Sequence, residues 1–133
     1  MKPAIVVDAS AMIDALVDGT GRGDAVRRVL PGFDSWVAPH HLDLECLNSW
    51  RSMVRRGALP RWRMSQALRD LANLPFDRVP TVAFHDRIEE LSENVTPYDA
   101  AYVVLAEAFD LALLTTDARL ARASGPRCEF ILV

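Results

Sequence analysis

The chain is poor in the residues from which several kinds of site are built. It has two cysteines, Cys46 and Cys128, three histidines, His40, His41 and His85, and one lysine, Lys2. No Cys-x-x-Cys or His-x-x-x-His spacing occurs, which argues against a structural zinc site. Two distant thiols, one on the apolar face of a helix and one at the start of the last strand, read as small buried hydrophobes rather than a disulfide. No apolar run approaches the length of a membrane span, so no membrane association is expected. The start Met1-Lys2-Pro3-Ala4 leads straight into a short strand. It lacks the longer apolar stretch and small-residue cleavage site of a secretory leader, and a cytoplasmic protein is expected. The glycine-containing stretch Asp18–Gly23 lacks the Gly-Lys-Ser/Thr ending of a phosphate-binding loop. It reads as a tight turn between two helices. There is no internal repeat and no low-complexity tract.

What is present fits one globular domain spanning 1–133, half apolar and a quarter charged. The net charge of −3 argues against a broad basic face for duplex DNA. Arg51, Arg55, Arg56, Arg61, Arg63 and Arg69 are nonetheless concentrated in one short region, and arginine presents a planar fork that suits phosphate. Five short runs read as strands: Ala4–Val7, Trp36–Ala38, Arg78–Val79, Leu111–Thr116 and Glu129–Val133. Helical patterns cover His41–Arg56, Leu59–Leu74, Thr81–Glu93, Pro97 to about Phe109, and residues 117–123. In the second of these, Trp62 falls with Ala67, Leu68 and Leu71 as an apolar residue. Alternation of strand and helix predicts an α/β fold with a mainly parallel sheet.

Four acidic residues stand out against this frame. Asp8 ends the run Ala4-Ile5-Val6-Val7, and Asp117 ends Leu113-Leu114-Thr115-Thr116. Glu45 projects beside the apolar stripe of its helix, on the side of Ser49, Ser52 and Arg56, while Asp99 lies in the first turn of the helix that Pro97 opens. Asp43 is set aside, because it falls within the apolar arc and suits the first turn of a helix. In open parallel sheets, sites lie beyond the carboxyl ends of strands where strand order reverses. If the first and fourth strands are neighbours, Asp8 and Asp117 stand together there, and Glu45 and Asp99 can reach the same edge. Converging carboxylates are how Mg²⁺ or Mn²⁺ is held for phosphodiester chemistry, in which a bound metal activates water. Ser10, Thr115 and Thr116 are near enough in sequence to orient water or phosphate. Each acid also has a structural explanation. Asp8 and Asp117 can cap helices, Thr96-x-x-Asp99 matches a capping box, and Glu45 can be a surface residue.

Several segments carry a resemblance to the PIN-domain proteins, and among them to the VapC ribonuclease toxins of bacterial toxin–antitoxin pairs. These are Ile5-Val6-Val7-Asp8-Ala9-Ser10-Ala11, Leu44-Glu45-Cys46-Leu47-Asn48, Arg55-Arg56-Gly57, Tyr98-Asp99-Ala100-Ala101-Tyr102 and Leu114-Thr115-Thr116-Asp117-Ala118-Arg119-Leu120. The resemblance spans almost the whole chain. It implies a three-layer fold with a five-stranded, mainly parallel sheet flanked by helices, and Mg²⁺- or Mn²⁺-dependent cleavage of RNA. By motif position it implies an acidic site of Asp8, Glu45, Asp99 and Asp117, with Ser10 and Thr115 or Thr116 as polar helpers. It also implies a homodimer and a cognate antitoxin that blocks the cleft. On that reading Arg56, on the side of Glu45, meets the RNA backbone, and Arg61 and Arg63 extend the path.

Three other readings compete. A metal-free nuclease would use His40, His41 or His85 as acid and base, but the adjacent pair at a helix start suits a solvated or capping role. A phosphoacceptor receiver domain needs a lysine after the last strand, and Lys2 is at the wrong end. A non-catalytic RNA-binding adaptor would keep the acids for metal and structure, with Trp62 free to stack a base.

Overall fold

The computed structural model describes residues 3–19 and 21–133. Met1, Lys2 and Thr20 therefore lie outside the described residues, and with them part of the expected 18–23 turn. Five strands, β1 (Ala4–Val7), β2 (Ser35–Pro39), β3 (Phe76–Val79), β4 (Leu113–Thr115) and β5 (Phe130–Leu132), form one sheet in the order β3-β2-β1-β4-β5. All four strand pairings are parallel. The flanking helices are α1 (Ala9–Val17), α2 (Gly21–Val29), α3 (Leu42–Arg55), α4 (Arg61–Asn73), α5 (His85–Leu91), α6 (Pro97–Phe109) and α7 (Ala118–Ala121). Short 3₁₀ turns cover Leu30–Gly32 and Val82–Phe84. Among the described residues, no helix is long and apolar enough to cross a membrane.

The chain steps outward from β1 through β2 to β3, then returns to the other side of β1 with β4. Val6 pairs with Leu113 and Val7 with Leu114. The reversal of strand order therefore falls between β1 and β4, the strands that Asp8 and Asp117 follow. The centre of the sheet is covered on both faces, which is why β1 is a continuous apolar run. Ile5, Val6 and Val7 have no exposed surface. Helix α6 packs against β1, β2 and β4, and every residue from Ala100 to Ala106 is buried. A helix apolar on all sides has no solvent face to offer. Its middle is enclosed, and its first turn brings Tyr98 and Asp99 to the edge of the sheet.

Several local expectations are corrected. The Thr81–Glu93 helix is split into the 3₁₀ turn and the shorter α5. Strand β3 begins at Phe76, two residues before the expected start, and pairs Phe76 with Trp36. Strands β4 and β5 are each shorter than the apolar runs that marked them. Gly21 and Gly23 belong to α2 rather than to a turn. Gly23 is required by close approach, since a Cβ there would strike the carbonyl oxygens of Asp14 and Asp18 at the end of α1. Cys46 is fully buried as expected, but Cys128 precedes β5 and is only half-buried. Trp62 is 69% exposed. Nine positions before Leu71, it sits roughly 180° around the helix from that buried residue, so the apolar pattern of α4 does not include it.

Candidate active site

Asp8 leaves β1 and caps α1, so its structural reading is realised in full. One carboxylate oxygen, Oδ1, accepts the Ala11 N–H at 3.1 Å and the Ser10 hydroxyl at 2.6 Å. The other, Oδ2, accepts the Thr115 hydroxyl at 2.6 Å across the β1–β4 junction. Thr115 Oγ1 in turn accepts the Asp117 N–H at 3.0 Å, and Ser10 Oγ accepts the Thr116 N–H at 3.2 Å. The two strand ends are thereby tied through one polar network beneath the acids. Thr115 is completely buried in it, and the Thr116 side chain is turned toward Asp14. Ser10 lines the cavity above, whereas Thr115 and Thr116 do not.

The other three acids arrive on separate helices. Glu45, in α3, accepts the Tyr102 hydroxyl at 2.8 Å and lies 3.3 Å from His41 Nε2. Asp99 is held in the first turn of α6, where Thr96 Oγ1 accepts its backbone N–H at 3.1 Å. Asp117 caps α7 by accepting the N–H groups of Arg119 and Leu120 at 2.9 and 3.3 Å. All four line one cavity of about 810 Å³. Each acid thus has a local structural role or anchor and also faces a shared space.

Their electrostatics are those of uncompensated neighbours. Burial pushes Asp8 up to about 6, against the pull of its three hydrogen-bond donors, and the Asp99 charge adds to the rise. Burial also raises Glu45, partly offset by Tyr102, with Asp99 again contributing. Asp99 is raised by burial and then by Asp117, with Thr96 and His41 offsetting part of the effect. No arginine contributes to these shifts. Like charges disfavour one another's ionisation, and a cation relieves that strain.

The donor set is all oxygen, which suits a hard divalent cation rather than a soft one. Among the described residues, no three Asp, Glu, His or Cys side chains are gathered as a ready-made ion cage. Mg²⁺ does not require such a cage, since it keeps several waters and is usually bound through one or two carboxylates together with substrate phosphates.

The arginines divide. Arg56, at the end of α3, lines the acid cavity with Ser49 and Ser52, and Arg61 does not. Arg63 hydrogen-bonds the Leu16 carbonyl, while Arg27 reaches the Ala15 carbonyl at 2.6 Å. Both guanidinium groups close the carboxyl end of α1, a common use of cations at helix ends. Asp43, passed over as a ligand, makes a two-pronged pair with Arg78 at 2.8 and 3.1 Å. Sequence reasoning assigned no role to Tyr102 or Tyr98, and none at the site to His41. Tyr102 follows Asp99 by three positions, so helical spacing puts it on the same side. His41 precedes Glu45 by four, yet only the fold brings its ring edge-on to Tyr98 and Tyr102, with centroids 5.8 and 5.5 Å apart.

These features define a small α/β protein with an acidic cleft at the switch point of a parallel sheet. The chain belongs to the PIN domain family, whose model matches residues 5–126. It is 36% identical to Ribonuclease VapC9 of Mycobacterium tuberculosis over 129 residues, covering 97% of this chain and 98% of that one. It is 41% identical to Ribonuclease VapC1 of the same organism over 129 residues, covering 96% of each chain. In structure it is similar to PAE2754 from Pyrobaculum aerophilum, with a TM-score of 0.64 at 23% identity over 89% of this chain and 85% of that one. The five-stranded parallel fold expected from sequence is thus shared with a solved structure.

Proposed function

We propose that the acidic cleft cuts RNA phosphodiester bonds with the help of Mg²⁺ or Mn²⁺, and that a cognate antitoxin covers it. The chain is a VapC-like ribonuclease, in keeping with its relatives. The observation that carries the metal reading is the meeting of four carboxylates from four elements in one cavity, with no arginine offsetting the charge of Asp8, Glu45 or Asp99. Asp8, Glu45, Asp99 and Asp117 are the proposed ligands. Bound among them, Mg²⁺ or Mn²⁺ supplies Lewis acidity toward a phosphate oxygen and makes water a stronger acid at neutral pH. The chain's own groups do the positioning. Ser10 and Thr115 hold the Asp8 carboxylate in place, and Tyr102 does the same for Glu45. Ser10 is also the hydroxyl of that network that faces the cavity. Arg56 is the proposed contact to the RNA backbone, with Arg61 and Arg63 as outlying contacts. For Arg63 that requires release from the Leu16 carbonyl.

The remaining proposals are residues 1–133 as a single domain, from length and composition, a cytoplasmic location, from the sequence of the first residues, and a homodimer, from the family. The test is cleavage of total cellular RNA by the purified protein. Activity should appear with Mg²⁺ or Mn²⁺, vanish with EDTA and be absent in Asp8→Asn. Cleavage that survives thorough chelation would rule out the metal mechanism. No cleavage by wild type or variant would instead favour a non-catalytic adaptor. For regulation, the small DNA-binding protein expected from a neighbouring reading frame should suppress cleavage when co-expressed.

A further inference from the structure

The acid cavity does not stop at its carboxylates. Asp99 and Asp117 also line a second hollow of about 490 Å³, together with Asn94, Thr96 and Arg119. The two spaces therefore meet at the acids, one extending along α3 and the other along the start of α6 and α7. Each contains one arginine: Arg56 in the first and Arg119 in the second.

Like Arg51 and Arg55 on the outer surface, these two guanidinium groups lack a carboxylate partner among the described residues, but they line the acid hollows. Arg78 and Arg87 are bound to carboxylates, and Arg27 and Arg63 reach backbone carbonyls. Arg56 has only the Ser52 hydroxyl, at 3.5 Å. The Arg119 side chain is exposed and, among the described residues, has no hydrogen bond or ion pair; Asp117 takes only its backbone N–H. Neither arginine forms an ion pair with an acid of the cleft, although each lines a wall with one. A polyanion drawn toward four carboxylates is repelled by them, so cations are needed along its path. One cation holds the strand on one side of the reacting bond. Two, on opposite sides, fix its register across the acids, and register is what positioning contributes to a displacement reaction.

We propose that Arg119 is a second phosphate-binding residue, and that the two hollows are the arms of one RNA path with the cleaved bond at their junction. This rests on the ribonuclease reading and adds to it the course of the substrate. Arg119 is a positioning residue; its guanidinium holds a backbone phosphate and takes no part in the chemistry.

The test is binding of a short fluorescein-labelled RNA of mixed sequence to the full chain carrying Asp8→Asn, titrated over a range of salt in Mg²⁺ buffer. Adding Arg119→Ala should weaken binding about three- to tenfold at low salt and reduce the salt slope by about 0.7, the value for one lost phosphate on a single strand. Adding Arg119→Lys should restore the slope, because the charge returns. Arg56→Ala should behave like Arg119→Ala, and the exposed Arg51→Ala should change neither quantity. In the active chain, Arg119→Ala should raise KM more than it lowers kcat. Unchanged affinity and slope in Arg119→Ala would overturn the second arm and leave the ribonuclease reading standing if the wild type still cleaves. A slope that Arg119→Lys fails to restore would overturn the phosphate contact as well. A wild type that cleaves no RNA with either metal would remove both the reading and the path built on it.

Discussion

Helix α6 carries a half-buried carboxylate at each end, and the two are treated in opposite ways. Asp99, in its first turn, is raised by burial and by Asp117. Glu107, in its last turn, is pushed up by burial but brought below its ordinary value by its partners. Arg87 grips both Glu107 oxygens at 2.9 and 3.0 Å, and the Arg127 N–H adds a bond at 2.8 Å. The helix dipole alone would give the reverse order, since it favours an anion at the start of a helix and disfavours one at the end. Local partners outweigh it at both ends. Glu107 has the environment of a structural ion pair: it joins α5, α6 and the loop before β5 through Arg87, which also bonds the Gly125 carbonyl at 2.9 Å. Asp99 has the environment of a group kept short of counter-charge. A carboxylate raised by burial and a like charge, lining a cleft, is a candidate functional group.

The sharpest way to break this comparison is to remove one acid from the cleft that Asp99 shares and one from the paired end of α6. Asp8→Asn should reduce cleavage by more than the roughly 10- to 100-fold typical of losing an outer-shell partner. It should leave the metal-free fold as stable as before or more so. An Asn can keep the network, accepting from Ala11 and Ser10 through its oxygen and donating to Thr115 through its nitrogen. Initial rates together with thermal melts in EDTA check both halves; a clear drop in melting temperature would make Asp8 chiefly a helix cap. Glu107→Gln should do the opposite. Losing charge-assisted bonds to Arg87 and Arg127 should cost about 2 kcal/mol of unfolding free energy, with the activity of the folded fraction unchanged. Denaturant titration measures it. A Glu107→Gln protein of wild-type stability would show that the paired end is as dispensable as the unpaired one.

The sequence made the acids legible for a physical reason. Asp8 and Asp117 end apolar runs, and Glu45 and Asp99 sit at readable helical positions, so the topology of a parallel sheet was enough to bring them together. That β1 and β4 are neighbours stood only as a condition, because alternation of strand and helix does not fix strand order; the pairing of Val6 with Leu113 meets it. What the sequence did not show was partnership across elements. Asp43 on α3 and Arg78 on β3 are 35 positions apart, and nothing local in either segment announces the other. The arginine cluster misled in a similar way. Clustering along the chain said nothing of direction, and Arg63 turns to a carbonyl of α1 while Arg56 faces the cleft. Trp62 is apolar like Ala67, Leu68 and Leu71, but it points away from the side of the helix that Leu71 buries. Gly23 was read as turn because glycine permits a turn, whereas the close approach of α1 and α2 excludes a side chain.

A smaller effect is expected where the unpaired acids are held by neutral donors. Tyr102→Phe deletes the hydroxyl that Glu45 accepts at 2.8 Å, within a fully buried ring. Cleavage should fall about tenfold, the lower range for a group that orients a ligand, and more metal should be needed for half-maximal rate. Folding should be little affected, because the ring keeps its packing and Glu45 retains access to the cavity. A variant with wild-type rate and metal requirement would show that His41, the other neighbour of the Glu45 carboxylate, is sufficient to place it.

The last effect lies in pH, where the cleft acid Asp8 and the paired Glu107 should pull in opposite directions. Asp8 is raised in the folded protein from 3.8 to about 6. The fold therefore holds its proton more tightly than the unfolded chain does. That contribution to stability is fully present below about pH 4 and is lost as pH rises through about 6. Glu107 is lowered from 4.5, so its contribution is present above that value and is lost as pH falls. In EDTA, Asp8→Asn should remove the first term. Its stability relative to wild type should then improve as pH rises from about 4 to about 7. The change is at most one proton, or about 1.4 kcal/mol per pH unit. Glu107→Gln should move the other way, losing its disadvantage relative to wild type as pH falls below about 4.5. Denaturant midpoints across that range supply the two difference curves. If the Asp8→Asn difference is flat with pH, Asp8 ionises in the fold as easily as in the unfolded chain. Asp8 would then add no electrostatic strain for a cation to relieve, and its place in the cleft would rest on hydrogen bonding alone.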